Sequence, residues 1–129
     1  MSKAHEVLAG AGLLPRELPE SYTYERVREV LAALEGRAET ELRAAAEAAV
    51  RLGVRGPLAA AVFVRHHLGG AHEVGVDRVA EHEGTGERLA VLVYPEGEVP
   101  VALGALGLEV GAGDRLRYDP QAGRYVPTS

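Results

Sequence analysis

The chain has 129 residues, a net charge of −5 at neutral pH and no cysteine. That length suits one domain able to bury about two thirds of its unfolded surface, so neither disulfides nor a structural metal is needed to hold it. The missing thiols exclude disulfide frameworks, thiolate zinc sites, iron–sulfur clusters and cysteine nucleophiles, and the acidic balance disfavours nonspecific nucleic-acid binding.

Residues 3–13 carry Ala4, Val7, Leu8 and Ala11 at helical spacing, and Pro15 stops the pattern, so a first, glycine-weakened helix is expected there. In 24–35 the apolar positions Val27, Val30, Leu31 and Leu34 fall at i, i+3, i+4 and i+7, with Thr23 as a cap and Gly36 as a stop. The third helix, 38–52, puts Leu42, Ala45, Ala46, Ala49 and Val50 on one face and pairs Glu39 with Arg43 and Glu47 with Arg51. Pro57 opens a fourth helix, 57–68, whose stretch Leu58 to Val64 is apolar all round. Such a helix needs cover on every side.

After Gly69-Gly70 the hydrophobic period changes from helical to alternating. Val74, Val76 and Val79 are spaced for a strand, Leu89 to Tyr94 is a continuous apolar strand, and Val99 to Leu103 follows a Pro95-Glu96-Gly97 turn. Further turns at Gly111 to Asp114 and Pro120 to Gly123 introduce strands at Leu116–Tyr118 and Tyr125–Val126. The fold class is therefore α+β: a bundle of about four helices in hairpin connection over 1–70, then a small antiparallel β-meander or partly open barrel over 71–129, together one domain, 1–129.

The β half, from Val76-Asp77-Arg78 through Ala90-Val91-Leu92, Val99-Pro100 and Leu103 to Gly113-Asp114-Arg115-Leu116, resembles a family of short bacterial β-domains of uncharacterised function. The resemblance covers residues 76–126; it implies a small β-barrel and nothing catalytic.

The densest polar group is Arg65-His66-His67-Leu68-Gly69-Gly70-Ala71-His72-Glu73, with Asp77 and His82 shortly after, at the helical/β junction. Here His66, His67, His72, Glu73 and Asp77 offer mixed nitrogen and oxygen ligands to a divalent metal, the one cofactor the residues leave open; no other is predicted. Adjacent His66 and His67 point about 100° apart on a helix and do not ligate together easily. A solvated helix end, where histidine suits the C-terminal dipole, is the reading the residues favour. A histidine acid–base site, His82 between Glu81 and Glu83 or His72 beside Glu73, is the enzymatic alternative. Nucleophilic serine chemistry finds no support, because Ser2, Ser21 and Ser129 sit in no nucleophile elbow.

Residues 45–65 have the outline of a helix-turn-helix, but a DNA-reading helix needs polar side chains near its start, where this one has Pro57, Leu58, Ala59, Ala60 and Ala61. The tyrosines read as core and rim packing. Asparagine is absent, and methionine and glutamine each occur once, a depletion that fits heat adaptation and that a GC-rich genome produces as well. With no secretory pattern at the start and a longest purely apolar run of only seven residues, no membrane segment is expected and the cytoplasm is the expected location. The functional expectation is a non-catalytic interaction or oligomerisation module, a two-fold homodimer being the commonest closed form. Its contact is expected at Leu58, Ala60, Ala61 and Val64 on the apolar helix.

Overall fold

A computed structural model describes residues 2–128. Four helices precede five strands: α1 Lys3–Gly10, α2 Tyr22–Ala32, α3 Glu39–Arg51, α4 Pro57–Leu68, β1 His72–Glu81, β2 Arg88–Tyr94, β3 Gly97–Ala102, then a short α5 Leu103–Leu106, β4 Arg115–Asp119 and β5 Arg124–Pro127. The α+β class and the switch of period near Gly69-Gly70 are as the sequence implies. The differences are local. Helix α1 stops at Gly10 instead of 13, because Gly12 turns the chain at φ +81°. Helix α2 starts two residues before 24, because Ser21, not Thr23, caps it by accepting from the Tyr24 N–H. The single turn of α5 has no counterpart in the sequence reading.

All strand pairings are antiparallel and the order is β3-β2-β1-β4-β5. Strands β1 to β3 run as a meander; the chain then returns past them, so that the β4–β5 hairpin joins the other side of β1. A bulge at Asp77 shifts the β1–β2 register between Val76 and Arg78. The helices cover one face of this sheet. One apolar cluster joins them to it, drawing on Leu8, Val27, Leu42 and Phe63 from the helices and Val74, Leu92, Val101 and Leu116 from the strands.

Helix α4 lies in the middle, packed against α2, α3 and β3. The cover that its apolar circumference demands is supplied within the chain. Ala60 and Ala61 allow α2 and α3 to approach closely, and Ala45, Ala46, Ala48 and Ala49 of α3 are equally buried. Ala60, Ala61 and Val64 are at most 1% exposed, so a second copy has no access to them, and Leu58 is half-buried against the same core. The expectation that a partner covers this face is corrected on that ground: three elements of one chain reach it from different sides, which a one-dimensional count of apolar stripes does not foresee.

The outer edge of β3 is closed by the α3–α4 loop. Arg55 N–H donates to the Pro100 carbonyl at 2.9 Å, and Ala102 N–H donates to the Leu52 carbonyl at 3.0 Å. Gly53 makes this docking feasible: it holds φ +68°, and a Cβ there would lie 2.7 Å from that of Ala102. Pro100 lacks an N–H, so this edge is poorly suited to pairing with another strand.

Candidate functional site: a histidine–tyrosine cluster

The end of α4 and the start of β1 bring three histidines to one end of the sheet's helical face. Gly69 and Gly70, the latter at φ +103°, turn the chain so sharply that His72 returns beneath His66, with ring centroids 5.5 Å apart. Because side chains alternate along a strand, His72, Tyr94, Tyr118 and Tyr125 all point toward the helices from β1, β2, β4 and β5. The ring of His72 lies 5.3 Å from Tyr94 and 5.4 Å from Tyr118, which packs edge-on against Tyr125 at 4.8 Å and Phe63 at 5.3 Å.

A directional hydrogen-bond chain runs through these rings. His72 Nδ1 lies 3.0 Å from the Gly70 carbonyl oxygen, which only accepts, so Nδ1 carries the ring proton. In the neutral ring Nε2 is then the acceptor, and the Tyr94 hydroxyl donates to it at 2.7 Å. The Tyr94 oxygen in turn accepts from the Tyr125 hydroxyl at 2.8 Å. Strands β2 and β5 are three intervals apart, about 14 Å in a flat sheet; the hydroxyls meet because the sheet curls and both rings lean over its centre.

Burial holds the pKa of His72 below the ordinary 6.5, against the Gly70 hydrogen bond, which pulls it up, and with the nearby His66 ring also lowering it. His67, whose Nδ1 shares a hydrogen bond of 3.0 Å with the Tyr118 hydroxyl, is lowered by burial, by His72 and by Arg51. Burial raises all three tyrosines, Tyr118 to about 12 and Tyr94 and Tyr125 further. At neutral pH the network is thus uncharged.

Beside it is a charged contact. His66 Nε2 donates to Glu96 Oε1 at 2.8 Å, and Arg65 lies 3.3 Å from Glu96 Oε2. Burial pushes the Glu96 carboxyl up, but the His66 and backbone hydrogen bonds and the charges of His66 and Arg65 outweigh it, and the net shift is downward. Arg26 of α2 donates to the Glu96 carbonyl at 2.6 Å, so the β2–β3 turn is tied to two helices.

The five residues expected as metal ligands are not brought together. His66, His67 and His72 face the helices, whereas Glu73, next to His72, points to the opposite face of the sheet, 3.9 Å from Arg115. Asp77, in the bulge, is held by Arg78 at 2.6 Å. Among the described residues no three histidine or carboxylate groups are placed to hold a metal ion. His82 sits in the β1–β2 hairpin, with Nδ1 3.2 Å from the Thr85 hydroxyl, and Glu81 and Glu83 are exposed. Two recesses, of about 460 Å³ between α1 and α3 and about 610 Å³ beside α5, are lined by none of these histidines.

Tyr94, Tyr118, Tyr125 and Glu96 are what the sequence reading missed as members of a histidine site. The usable signal was phase: each tyrosine falls at an inward position of its strand, near the end shared with His72. Glu96 left no such signal, because only the turn's return against α4 places it beside His66. Comparison with family models, curated proteins and solved structures finds no match to this chain.

Proposed function

We propose that this chain is a non-catalytic interaction module, located in the cytoplasm, that self-associates through the outer face of its sheet around Val93. The observation that carries this reading is the division of labour between the two faces. On the helical face every ring nitrogen of His72 and the hydroxyls of Tyr94 and Tyr125 are bonded to one another or to Gly70. On the other face β2 places Leu89, Val91 and Val93 in a row beside Pro100 of β3; Leu89 and Val91 are buried, and Val93 is 48% exposed. Ion pairs of both signs flank the row: Arg78 with Glu98 and Asp77, and Arg115 with Glu73. An exposed apolar side chain within a charged rim fits the anatomy of a protein contact, and a second copy is the simplest occupant because two-fold dimers are the commonest assemblies. The resemblance of residues 76–126 to β-domains without assigned chemistry is in keeping with it.

Light scattering of the unmodified protein at micromolar concentration tests the reading. A dimer is expected, and Val93→Glu, at an exposed position, is expected to give a folded monomer. A monomeric unmodified protein overturns it. No described helix is long and apolar enough to cross a membrane.

The second reading, a histidine acid–base enzyme at the helical/β junction, is favoured by one contact, the His66–Glu96 pair, in which a carboxylate orients an imidazole. It requires turnover of some substrate that Glu96→Gln lowers by at least about a hundredfold while circular dichroism is unchanged.

A further inference from the structure

The chain from Tyr125 through Tyr94 to His72 has a fixed polarity, and each of its hydroxyl groups has only one hydrogen to give. Gly70 occupies the Nδ1–H, so the only place His72 can take up a proton is Nε2. There the new N–H points at the Tyr94 oxygen, which must stop donating and accept. The Tyr94 hydrogen then turns to the Tyr125 oxygen, and the Tyr125 hydrogen is left facing the core. Among the described residues Tyr94 is the sole hydrogen-bond partner of the Tyr125 hydroxyl, and Tyr125 is 1% exposed. An unpaired buried hydroxyl hydrogen is costly, and the half-buried position of His72 adds a cost for the imidazolium.

We propose that His72 is a proton-operated latch: protonation at Nε2 reverses the chain through Tyr94 and Tyr125 and frees strand β5 from the helical face. Strand β5 is the element that yields, being four residues long, at the edge of the sheet and paired only with β4. Local opening begins at such elements. Among the described residues no carboxylate pairs with His72. From α4, His66 and His67 face it as further bases, with Phe63 packed on Tyr118; from β4 and β5 come the hydroxyls of Tyr118 and Tyr125. Glu96, after β2, is already engaged by His66 and Arg65. Arg51 of α3 adds positive charge near His67, and Glu73, the carboxylate on His72's own strand, lies on the opposite face. The latch is independent of self-association, since it acts inside one chain.

Nitrogen-15 NMR of the histidine rings tests the first step on the unmodified protein. At neutral pH His72 is expected as the Nδ1–H tautomer with an unprotonated Nε2; the opposite tautomer overturns the proposal. The second step is read by amide hydrogen exchange. Between about pH 7 and about pH 5, protection of the Thr128 N–H, which bonds to the Arg115 carbonyl, is expected to fall about tenfold relative to the β2–β3 amides. His72→Phe is expected to abolish this acid response and His67→Gln to retain it. If His72 titrates without loss of β5 protection, or if His72→Phe still responds, the latch does not exist. Should His72→Phe fail to fold, the titration and exchange of the unmodified protein decide the matter by themselves.

Discussion

The two faces of the sheet differ sharply although they are built from alternate residues of the same strands. His72 and Glu73 are neighbours, as are Val93 and Tyr94 and also Arg117 and Tyr118. In each pair the inward member is locked into a ring contact or hydrogen bond, and the outward member is exposed. Polar groups under the helices are largely withdrawn from water and are bonded mainly to one another. On the outer face water competes for every pair. A residue's chemistry is thus decided by parity along the strand more than by its type.

The contrast predicts a graded series of effects on stability. Phe63→Ala removes the ring that supports Tyr118, Tyr125 and His67 from above and leaves a cavity in the centre of the core; denaturant unfolding should show a loss of about 3–5 kcal/mol. Gly53→Ala forces a Cβ toward Ala102 in a left-handed backbone conformation, and a loss of about 1–3 kcal/mol is expected, with faster exchange of the Ala102 amide at the β3 edge. Tyr94→Phe leaves His72 Nε2 without a donor and the Tyr125 hydroxyl without an acceptor, so about 1–3 kcal/mol should be lost while the backbone stays native by circular dichroism.

Acid should weaken the inner face specifically. His67 and His72 have lower pKa values when folded than when unfolded, so the unfolded chain binds more protons as pH falls through the ordinary imidazole value of 6.5. Stability is full above that pH and declines below it. Glu96, also lowered on folding, adds stability that is present above its unfolded carboxyl value of 4.5 and is lost as pH falls through its folded value. Thermal unfolding followed from neutral to acid pH should therefore show two successive losses. A midpoint that is flat down to about pH 5 would break the comparison. The smallest effect belongs to the outer face: Glu73→Ala, removing a pair 3.9 Å apart with both side chains more than half exposed, should shift unfolding by no more than about 1 kcal/mol.

Much of this protein is legible in the sequence, because periodicity and punctuation are local properties. The spacing of Val27, Val30 and Leu31, the Pro57 start and the Gly69-Gly70 end of α4, and the alternation of β1 place the helices and strands to within a few residues. The histidine-rich stretch at 65–73 marks the one region of concentrated polar chemistry. Parity along β1 puts His72 and Glu73 on opposite faces, which parts two residues that the expected ligand set had joined.

Only the tertiary structure decided which side of each element meets what. The apolar circumference of α4 states a need for cover; α2, α3 and β3 of the same chain meet it because the helical half folds back over the sheet. The β4–β5 hairpin joins β1 and not β3, a choice made by long-range pairing that no local signal encodes, and it is this choice that brings Tyr118 beside His72 and Tyr125 within reach of Tyr94. Local chemistry sets the period of an element and the residues on each of its faces. Contacts between residues far apart in the chain depend on how the faces are assembled, and the His72–Tyr94–Tyr125 chain exists only after that assembly.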